Sequence, residues 1–183
     1  MSILSILEFP DPRLRLHAAP VTVFDAKLKQ LGADMLQTMY AARGVGLAAI
    51  QVNVQQRVLV ADMSDERTQP LILVNAQVVE KSGSQVYQEG CLSFPGMFAD
   101  VTRALSIKVK AQDLDGKDLA LEVEGPLAVC IQHEIDHLDG VLMLDRTARD
   151  QRKAALRALR EGGSYSPTAE EPADEDPAPA ATS

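Results

Sequence analysis

One short stretch of the chain carries three side chains that could bind and use a metal ion. It spans residues 132–137, with the sequence Gln-His-Glu-Ile-Asp-His. His133 and His137 are four residues apart, so on a helix both imidazoles face the same side and can bind one ion. Glu134 follows the first histidine, where its carboxylate can reach a metal-bound water molecule without being a ligand itself. Since the chain has only three histidines, two of them at this spacing indicate a catalytic metal site.

Two histidines leave such a site incomplete, because catalytic sites of the zinc type use three protein ligands and keep one position open. The third ligand could be Cys91, an aspartate or a glutamate, or there could be none. Cys91 is favoured by its neighbours, since residues 89–93 form a short glycine-containing turn that presents a side chain and backbone N–H groups. The other candidates fit other roles: His17 is predicted to lie at the surface, and Cys130 to pack as a small apolar group on the helix.

A third stretch, residues 44–51, is rich in glycine and other small residues. It does not match a dinucleotide-binding fingerprint, since it follows a predicted helix rather than a strand and has no third glycine. By itself it predicts only a loop at which two chain segments approach closely. Gln51 lies at its end, where the carboxamide could donate a hydrogen bond to a developing oxyanion.

The pattern of apolar residues predicts the elements that must position these side chains. A helix with an apolar stripe is predicted from its N-cap Asp25 to about Arg43. Strands are predicted at residues 57–63 and 71–79, and a hairpin with an Asp-Gly turn at residues 104–123. A second helix begins at Gly125 and ends at Gly140, and a third spans residues 148–160. Helices and strands do not alternate regularly, so the predicted fold class is α+β.

Composition places these elements in an ordinary globular domain. The chain has 183 residues, of which 46% are apolar and 24% charged. No run of 18 apolar residues occurs, so no membrane-spanning helix and no membrane partner are expected. Two cysteines cannot form the disulfide framework of a secreted domain. The first residues lack the pattern of an export signal, and a cytoplasmic location is therefore predicted.

The net charge of −8 comes largely from the C-terminal end of the chain. Residues 163–183 contain five acidic residues and no Lys or Arg, so 18 basic and 21 acidic residues remain in the first 162, a net charge of −3. No basic patch runs across that part, and DNA is not an expected partner. The last 21 residues have four prolines and no Leu, Ile, Val or Phe, so disorder is predicted. We therefore expect one catalytic metallohydrolase domain at 1–162 and an acidic Pro/Ala-rich tail at 163–183.

Taken together and in order, residues 44–51, 89–93 and 132–137 resemble the three signature motifs of the peptide deformylase family. Residues 9–14 and the strand around Arg103 are also similar to that family, and the resemblance fades after about Arg160. It implies a metal hydrolase that removes the N-formyl group from the N-terminal formylmethionine of newly made polypeptides. The implied fold has antiparallel strands packed around a central metal-binding helix, to which the sequence adds a C-terminal helix.

The resemblance also implies roles for individual residues. The metal ligands would be Cys91, His133 and His137, with Glu134 as the general acid and base. Gln51 and the backbone N–H of Leu92 would stabilise the oxyanion. The residues that contact the substrate, including the pocket for the methionine side chain, would be Val45, Gly46, Glu89, Gly90, Val129 and Cys130.

In the implied mechanism a metal-bound hydroxide attacks the formyl carbon. The ion lowers the pKa of its water toward about 7, and Glu134 takes the proton and returns it to the leaving amine. A ligand set of two histidines and one cysteine accepts Fe²⁺, Zn²⁺, Ni²⁺ or Co²⁺. The family resemblance favours Fe²⁺ as the native ion, with the other three as substitutes. With iron, the thiolate of Cys91 would be prone to oxidation.

Two other functions explain parts of the pattern. A zinc peptidase would use the same His-Glu-x-x-His helix, but it would leave residues 44–51 and Cys91 without a role. A regulatory or structural metal module without turnover would need a fourth protein ligand. Among the histidines only His17 is spare for that purpose.

The third predicted helix, residues 148–160, is strongly basic. Such a helix can simply present a solvated face. In an enzyme that acts on nascent chains it could also contact ribosomal RNA, so the ribosome is a predicted partner beside formyl-Met peptides. The basic residues are Arg149, Arg152, Lys153, Arg157 and Arg160.

Overall fold

A computed structural model of the protein describes residues 2–167. Within that range the chain forms three α-helices and seven strands. The helices are α1 (Ala26–Ala41), α2 (Gly125–Leu138) and α3 (Arg149–Arg160). The strands are β1 (Gly46–Ala48), β2 (Val58–Ala61), β3 (Leu71–Ser82), β4 (Gln85–Cys91), β5 (Phe94–Arg103), β6 (Ser106–Gln112) and β7 (Asp118–Glu124). All strand pairs are antiparallel, and the predicted α+β class is confirmed.

Five strands form one sheet, in the spatial order β1-β2-β3-β6-β7. The predicted hairpin joins β6 and β7, and its turn is held by the side chain of Asp113, which accepts hydrogen bonds from the backbone N–H groups of Asp115 and Lys117. Gly116 in this turn has a φ of 81°, which glycine adopts without strain. The inward residues of β6 are Ile107, Val109 and Ala111, which enter the main hydrophobic core.

Helix α2 is buried along most of its length, because every residue from Ala128 to Leu138 is buried. The helix begins at Gly125, as predicted, with Pro126 in its first turn, where the missing N–H costs no hydrogen bond. One side of the helix packs against the five-stranded sheet through Ala128, Ile131, Ile135 and Leu138. The two histidines of α2 are therefore free to face away from the sheet.

Strands β4 and β5 pair with each other as a separate hairpin. Helix α3 packs against this hairpin through apolar residues that include Ala155 and Leu159. Beyond α3, the backbone of Tyr165 hydrogen-bonds with Gly96 and Phe98 of β5, so the first residues of the predicted tail run beside this strand. The rest of that tail, from residue 168 onward, lies outside the described residues.

The structure differs from the sequence-based prediction mainly at two places. Residues 46–48 form an edge strand rather than a loop, and the β4–β5 hairpin was not predicted as a unit. Most residues of β4 are at least partly exposed, so this strand lacks the alternation of apolar and polar residues that predicts strands. Cys91 is the last residue of β4 rather than part of the turn that follows. No helix within residues 2–167 is long and apolar enough to cross a membrane.

Candidate metal centre and substrate groove

Three side chains that are distant in sequence converge where α2 meets the end of β4. Within residues 2–167, Cys91, His133 and His137 are the one group of potential metal ligands, and their donor atoms all lie within 4.8 Å of one another. The Nε2 atom of His137 is 3.2 Å from Sγ of Cys91 and 3.2 Å from Nε2 of His133. Around one tetrahedral ion, bond lengths of about 2.1–2.3 Å separate neighbouring ligand atoms by roughly 3.4–3.7 Å. The donor atoms are therefore spaced closely enough to share a single ion.

The sequence places each of these ligands by a different local rule. His133 and His137 lie one helical turn apart on α2, which puts both rings on the side away from the core sheet. Their ring centroids are 4.9 Å apart. Cys91 ends β4 beside a change of register in the β4–β5 hairpin, so the hairpin carries the thiol toward the helix.

A carboxylate from β4 orients one of the two histidines. Oε2 of Glu89 lies 2.8 Å from Nδ1 of His133. This hydrogen bond holds a proton on Nδ1 and turns Nε2 toward His137, where it can bind an ion in place of a proton. Burial by itself would raise the pKa of Glu89, but the hydrogen bonds from His133 and Arg103 outweigh it and lower the pKa to about 2. Glu89 is thus ionised across the physiological pH range.

Glu134 lies beside the three ligands without being one of them. The residue is only 4% exposed, and its Oε2 atom has no hydrogen-bond partner among the described residues. Burial, the largest influence, raises the pKa of Glu134 to about 7. A Cβ atom on Gly46 would collide with Oε1 of Glu134, so the backbone of β1 lies directly against this carboxylate. Because burial raises the pKa of Glu134 to about 7, this carboxylate can exchange a proton near neutral pH.

Gln51 is held in a fixed orientation by two hydrogen bonds. Its Oε1 atom accepts from the backbone N–H of Ala48 at 2.8 Å, and its Nε2 atom donates to Oγ of Ser93 at 3.1 Å. The same amide group lies 3.7 Å from Sγ of Cys91. Since the carbonyl end is occupied, the N–H end of the carboxamide is the part that faces the metal centre.

A groove of about 680 Å³ opens beside these groups. All the residues predicted to contact substrate line it: Val45, Gly46, Glu89, Gly90, Val129 and Cys130. Gln51, Cys91, Leu92, His133 and Glu134 also line the groove, whereas His137 lies behind it. Burial raises the pKa of the Cys130 thiol, which keeps it neutral and suits it to an apolar wall. His17, predicted at the surface, is exposed and lies outside this groove.

Several residues around the site were not predicted from the sequence. Tyr87, Met97 and Phe98 line the groove, and they come from the hairpin that sequence patterns did not predict. Arg103 and Asp136 form buried ion pairs behind the metal ligands. The signal in the sequence for this pairing is that Asp136 lies between the two histidines of a helix that the family resemblance makes central to the fold, where a charge needs a partner.

A Cys-His-His ligand group next to a buried carboxylate, in a groove open to solvent, defines a metal-dependent hydrolase. Residues 3–153 match the sequence profile of the polypeptide deformylase family. The chain belongs to the peptide deformylase family, whose enzymes remove the N-formyl group from nascent peptides.

Individual relatives agree with this assignment over most of the chain. A peptide deformylase of Chromobacterium violaceum is 50% identical over 160 residues, which cover 87% of this chain and 96% of that protein. The crystal structure of a peptide deformylase from Legionella pneumophila is 44% identical, with a TM-score of 0.84, and covers 88% of this chain and 95% of that one. A deformylase structure from Synechococcus elongatus in complex with actinonin is 41% identical, with a TM-score of 0.82, and covers 88% of this chain and 89% of that one.

Proposed function

We propose that this protein hydrolyses the formamide of an N-terminal formylmethionine, using Cys91, His133 and His137 as metal ligands and Glu134 as general acid and base. The observation that carries the proposal is that the buried Glu134 carboxylate lines the same groove as Cys91 and His133, two members of the converging ligand group.

The ligand group suits a divalent transition metal. One thiolate and two imidazoles are donors that accept Fe²⁺, Zn²⁺, Ni²⁺ or Co²⁺, and we propose Fe²⁺ as the native ion. The hydrogen bond from His133 to Glu89 supports this use of His133, since it occupies Nδ1 and leaves Nε2 as the ring atom that faces His137. When bound, such an ion acts as a Lewis acid, which polarises a carbonyl group and makes water more acidic.

Glu134 is proposed to move the proton. Because its pKa is about 7, the carboxylate can accept a proton from the attacking water and, once protonated, donate it to the leaving amine. Its Oε2 atom, which has no hydrogen-bond partner among the described residues, is available for this exchange.

Gln51 and the backbone N–H of Leu92 are proposed to stabilise the negative charge that develops on the formyl oxygen. The fixed carboxamide of Gln51 directs its donor group toward Cys91, and Leu92 follows Cys91 in the turn. Donors that are already oriented stabilise the transition state without reorganisation, and loss of one typically costs about 3 kcal/mol, or roughly a hundredfold in rate.

The peptide is proposed to bind as an added strand between the two sheets. Strand β1 is the edge of the five-stranded sheet, and β4 pairs only with β5 among the described strands. Gly46 on β1 and Gly90 on β4 both line the groove, so a substrate backbone can approach either strand closely. Val129 and Cys130 of α2 would then bound the pocket for the methionine side chain, with Val45 and Glu89 beside them.

The ribosome is a proposed partner through α3. Its apolar residues pack on the β4–β5 hairpin, and all five of its basic side chains are exposed. Co-sedimentation with ribosomes over a salt series tests this contact, because phosphate contacts weaken steeply with salt. Salt-dependent binding that persists after deletion of residues 148–183 would exclude α3 as the contact. A cytoplasmic location is proposed together with this role.

The proposed reaction is tested by metal analysis together with an activity assay. Purified protein is loaded anaerobically with Fe²⁺ or Zn²⁺ and given a formyl-Met peptide, the matched acetyl-Met peptide, and a blocked peptide with only internal bonds. We expect cleavage of the formyl group alone, and faster turnover with Fe²⁺. Cleavage of internal bonds would instead favour a metallopeptidase.

A further inference from the structure

A continuous series of charged groups runs from His133, a proposed metal ligand, to the half-exposed Arg146. Glu89 forms the hydrogen bond with His133. Its two carboxylate oxygens also accept hydrogen bonds from Nε and Nη2 of Arg103, at 2.7 and 3.0 Å. Nη1 of Arg103 donates to Oδ2 of Asp136 at 2.5 Å. Asp136 in turn accepts from Nε and Nη2 of Arg146 at 3.1 and 2.7 Å. The series ends at a second cavity, which both Asp136 and Arg146 line.

The inner members of this series are buried, so each depends on the next for its charge balance. The side chains of Glu89, Arg103 and Asp136 are 3%, 5% and 12% exposed, whereas that of Arg146 is 48% exposed. Two carboxylates and two guanidinium groups alternate, and their charges cancel. Removing one member leaves an uncompensated charge in a low-dielectric region, which is strongly unfavourable.

The geometry of the series also allows each side chain to fix the orientation of the next one. Arg103 holds both oxygens of Glu89 with its planar fork, and Arg146 holds both oxygens of Asp136 in the same way. A two-point contact fixes the rotation of a carboxylate, which a single hydrogen bond does not. The position of Glu89 against His133 therefore depends on Arg103, and that of Arg103 depends on Asp136.

We propose that Asp136 and Arg146 are positioning residues for the metal centre, acting on His133 through Arg103 and Glu89. This inference rests on the proposed function, in which His133 is a ligand. Neither residue touches the substrate groove. Their effect is on how firmly the ligand group holds its ion, and it passes through Glu89, the direct partner of His133. Such direct partners typically change metal affinity by about 10–100-fold, so the lower end of this range is expected for Asp136.

The chain contains a matched control for this test. Asp139 lies one residue beyond α2 and forms an ion pair with Arg57 at 2.6 Å. This pair lines the same second cavity, but no described contact links it to Glu89 or His133. Asp136→Asn and Asp139→Asn therefore make the same chemical change at the same end of one helix, and only the first interrupts the series.

The experiment measures the rate at which Zn²⁺-loaded full-length protein releases its metal to an excess of chelator, with the visible spectrum of the Co²⁺ form as a second readout. We expect Asp136→Asn to release Zn²⁺ about tenfold faster and to shift the Co²⁺ bands. Asp139→Asn should stay within twofold of the parent protein, with an unchanged spectrum. Arg146→Met should accelerate release, and Arg146→Lys, which keeps the charge without the fork, should do so less.

The results separate this inference from the proposed function. Equal release rates and spectra for the parent protein and Asp136→Asn would overturn the inference, even if the variant is less stable to heat. If Asp136→Asn does not fold, Arg146→Met is measured instead, because Arg146 is half-exposed and its replacement disturbs the fold less. An unchanged release rate in Arg146→Met would overturn the inference. A parent protein that binds neither Zn²⁺ nor Co²⁺, or that does not cleave formyl-Met peptides, would instead contradict the proposed function.

Discussion

Replacing Gly46 by alanine is the most direct test of where the Glu134 carboxylate must be. A Cβ atom at this position would collide with Oε1 of Glu134 and lie 2.8 Å from Sγ of Cys130 and 3.0 Å from Cδ of Glu134. Ordinary contact starts at 3.4 Å, so the buried carboxylate must retreat by up to about 1 Å. A displacement of about 1 Å at a reacting group can cost roughly a hundredfold in rate. The three atoms nearest to the new Cβ belong to Glu134 and Cys130, neither of which is a proposed metal ligand, so we expect metal content to stay the same.

The assay compares kcat and KM for a formyl-Met peptide between the parent protein and Gly46→Ala, with metal content measured on the same samples. We expect kcat to fall about a hundredfold at full metal occupancy. Gly163→Ala is the control, because the nearest atom to its added Cβ is 3.7 Å away. A Gly46→Ala enzyme with the parent kcat would refute the reasoning, and a change in KM alone would assign Gly46 to peptide binding only.

Three further predictions follow from the same site. Glu134→Ala should keep its metal and lose nearly all turnover, because the proton-transfer group is gone; parent-like turnover in a metal-loaded sample would remove Glu134 from the mechanism. Cys91→Ala should lower metal content, since one of three ligands is missing; full occupancy by elemental analysis would show that Cys91 is not a ligand. The pKa of Glu89 is about 2 in the folded protein against an ordinary value of 4.5, so its ionisation stabilises the fold above pH 4.5 by about 3 kcal/mol, a contribution lost as pH falls toward 2. Urea unfolding of the metal-free protein is therefore measured from about pH 2.5 to about pH 7. As the pH falls, the free energy of unfolding should decrease less for Glu89→Gln than for the parent protein, and an identical pH dependence would contradict this role of Glu89.

Local sequence patterns were sufficient to predict the elements that are stabilised by residues close together in the chain. Asp25 caps α1 as predicted, with its carboxylate accepting from the N–H groups of Lys27 and Leu28. The Asp-Gly turn closes the β6–β7 hairpin, and Gly125 begins the helix that carries both histidines. In each case a few neighbouring residues settle the backbone conformation, so the signal can be found in a short window of sequence.

The β4–β5 hairpin and its contacts could not be predicted in the same way. Strand β4 is mostly exposed and lacks the alternation that indicates a strand. The hairpin forms because β4 pairs with β5 and because β5 packs against α3. Cys91 was predicted to be the third metal ligand from its neighbouring residues and from the family resemblance, but its distance from the two histidines depends on how that hairpin folds. Likewise, the pairing of Arg103 with Glu89 and Asp136 joins residues 14 and 33 positions apart.

The sequence by itself determined that two histidines share a face of one helix, because four residues make about one helical turn whatever surrounds them. It also determined the order and type of the local elements that flank this helix. Only the tertiary structure decided that Cys91 completes the ligand group, that Gly46 lies against Glu134, and that Arg103 balances Glu89. Those contacts join segments distant along the chain, and their geometry exists only once the sheet, the hairpin and the buried helix have packed together.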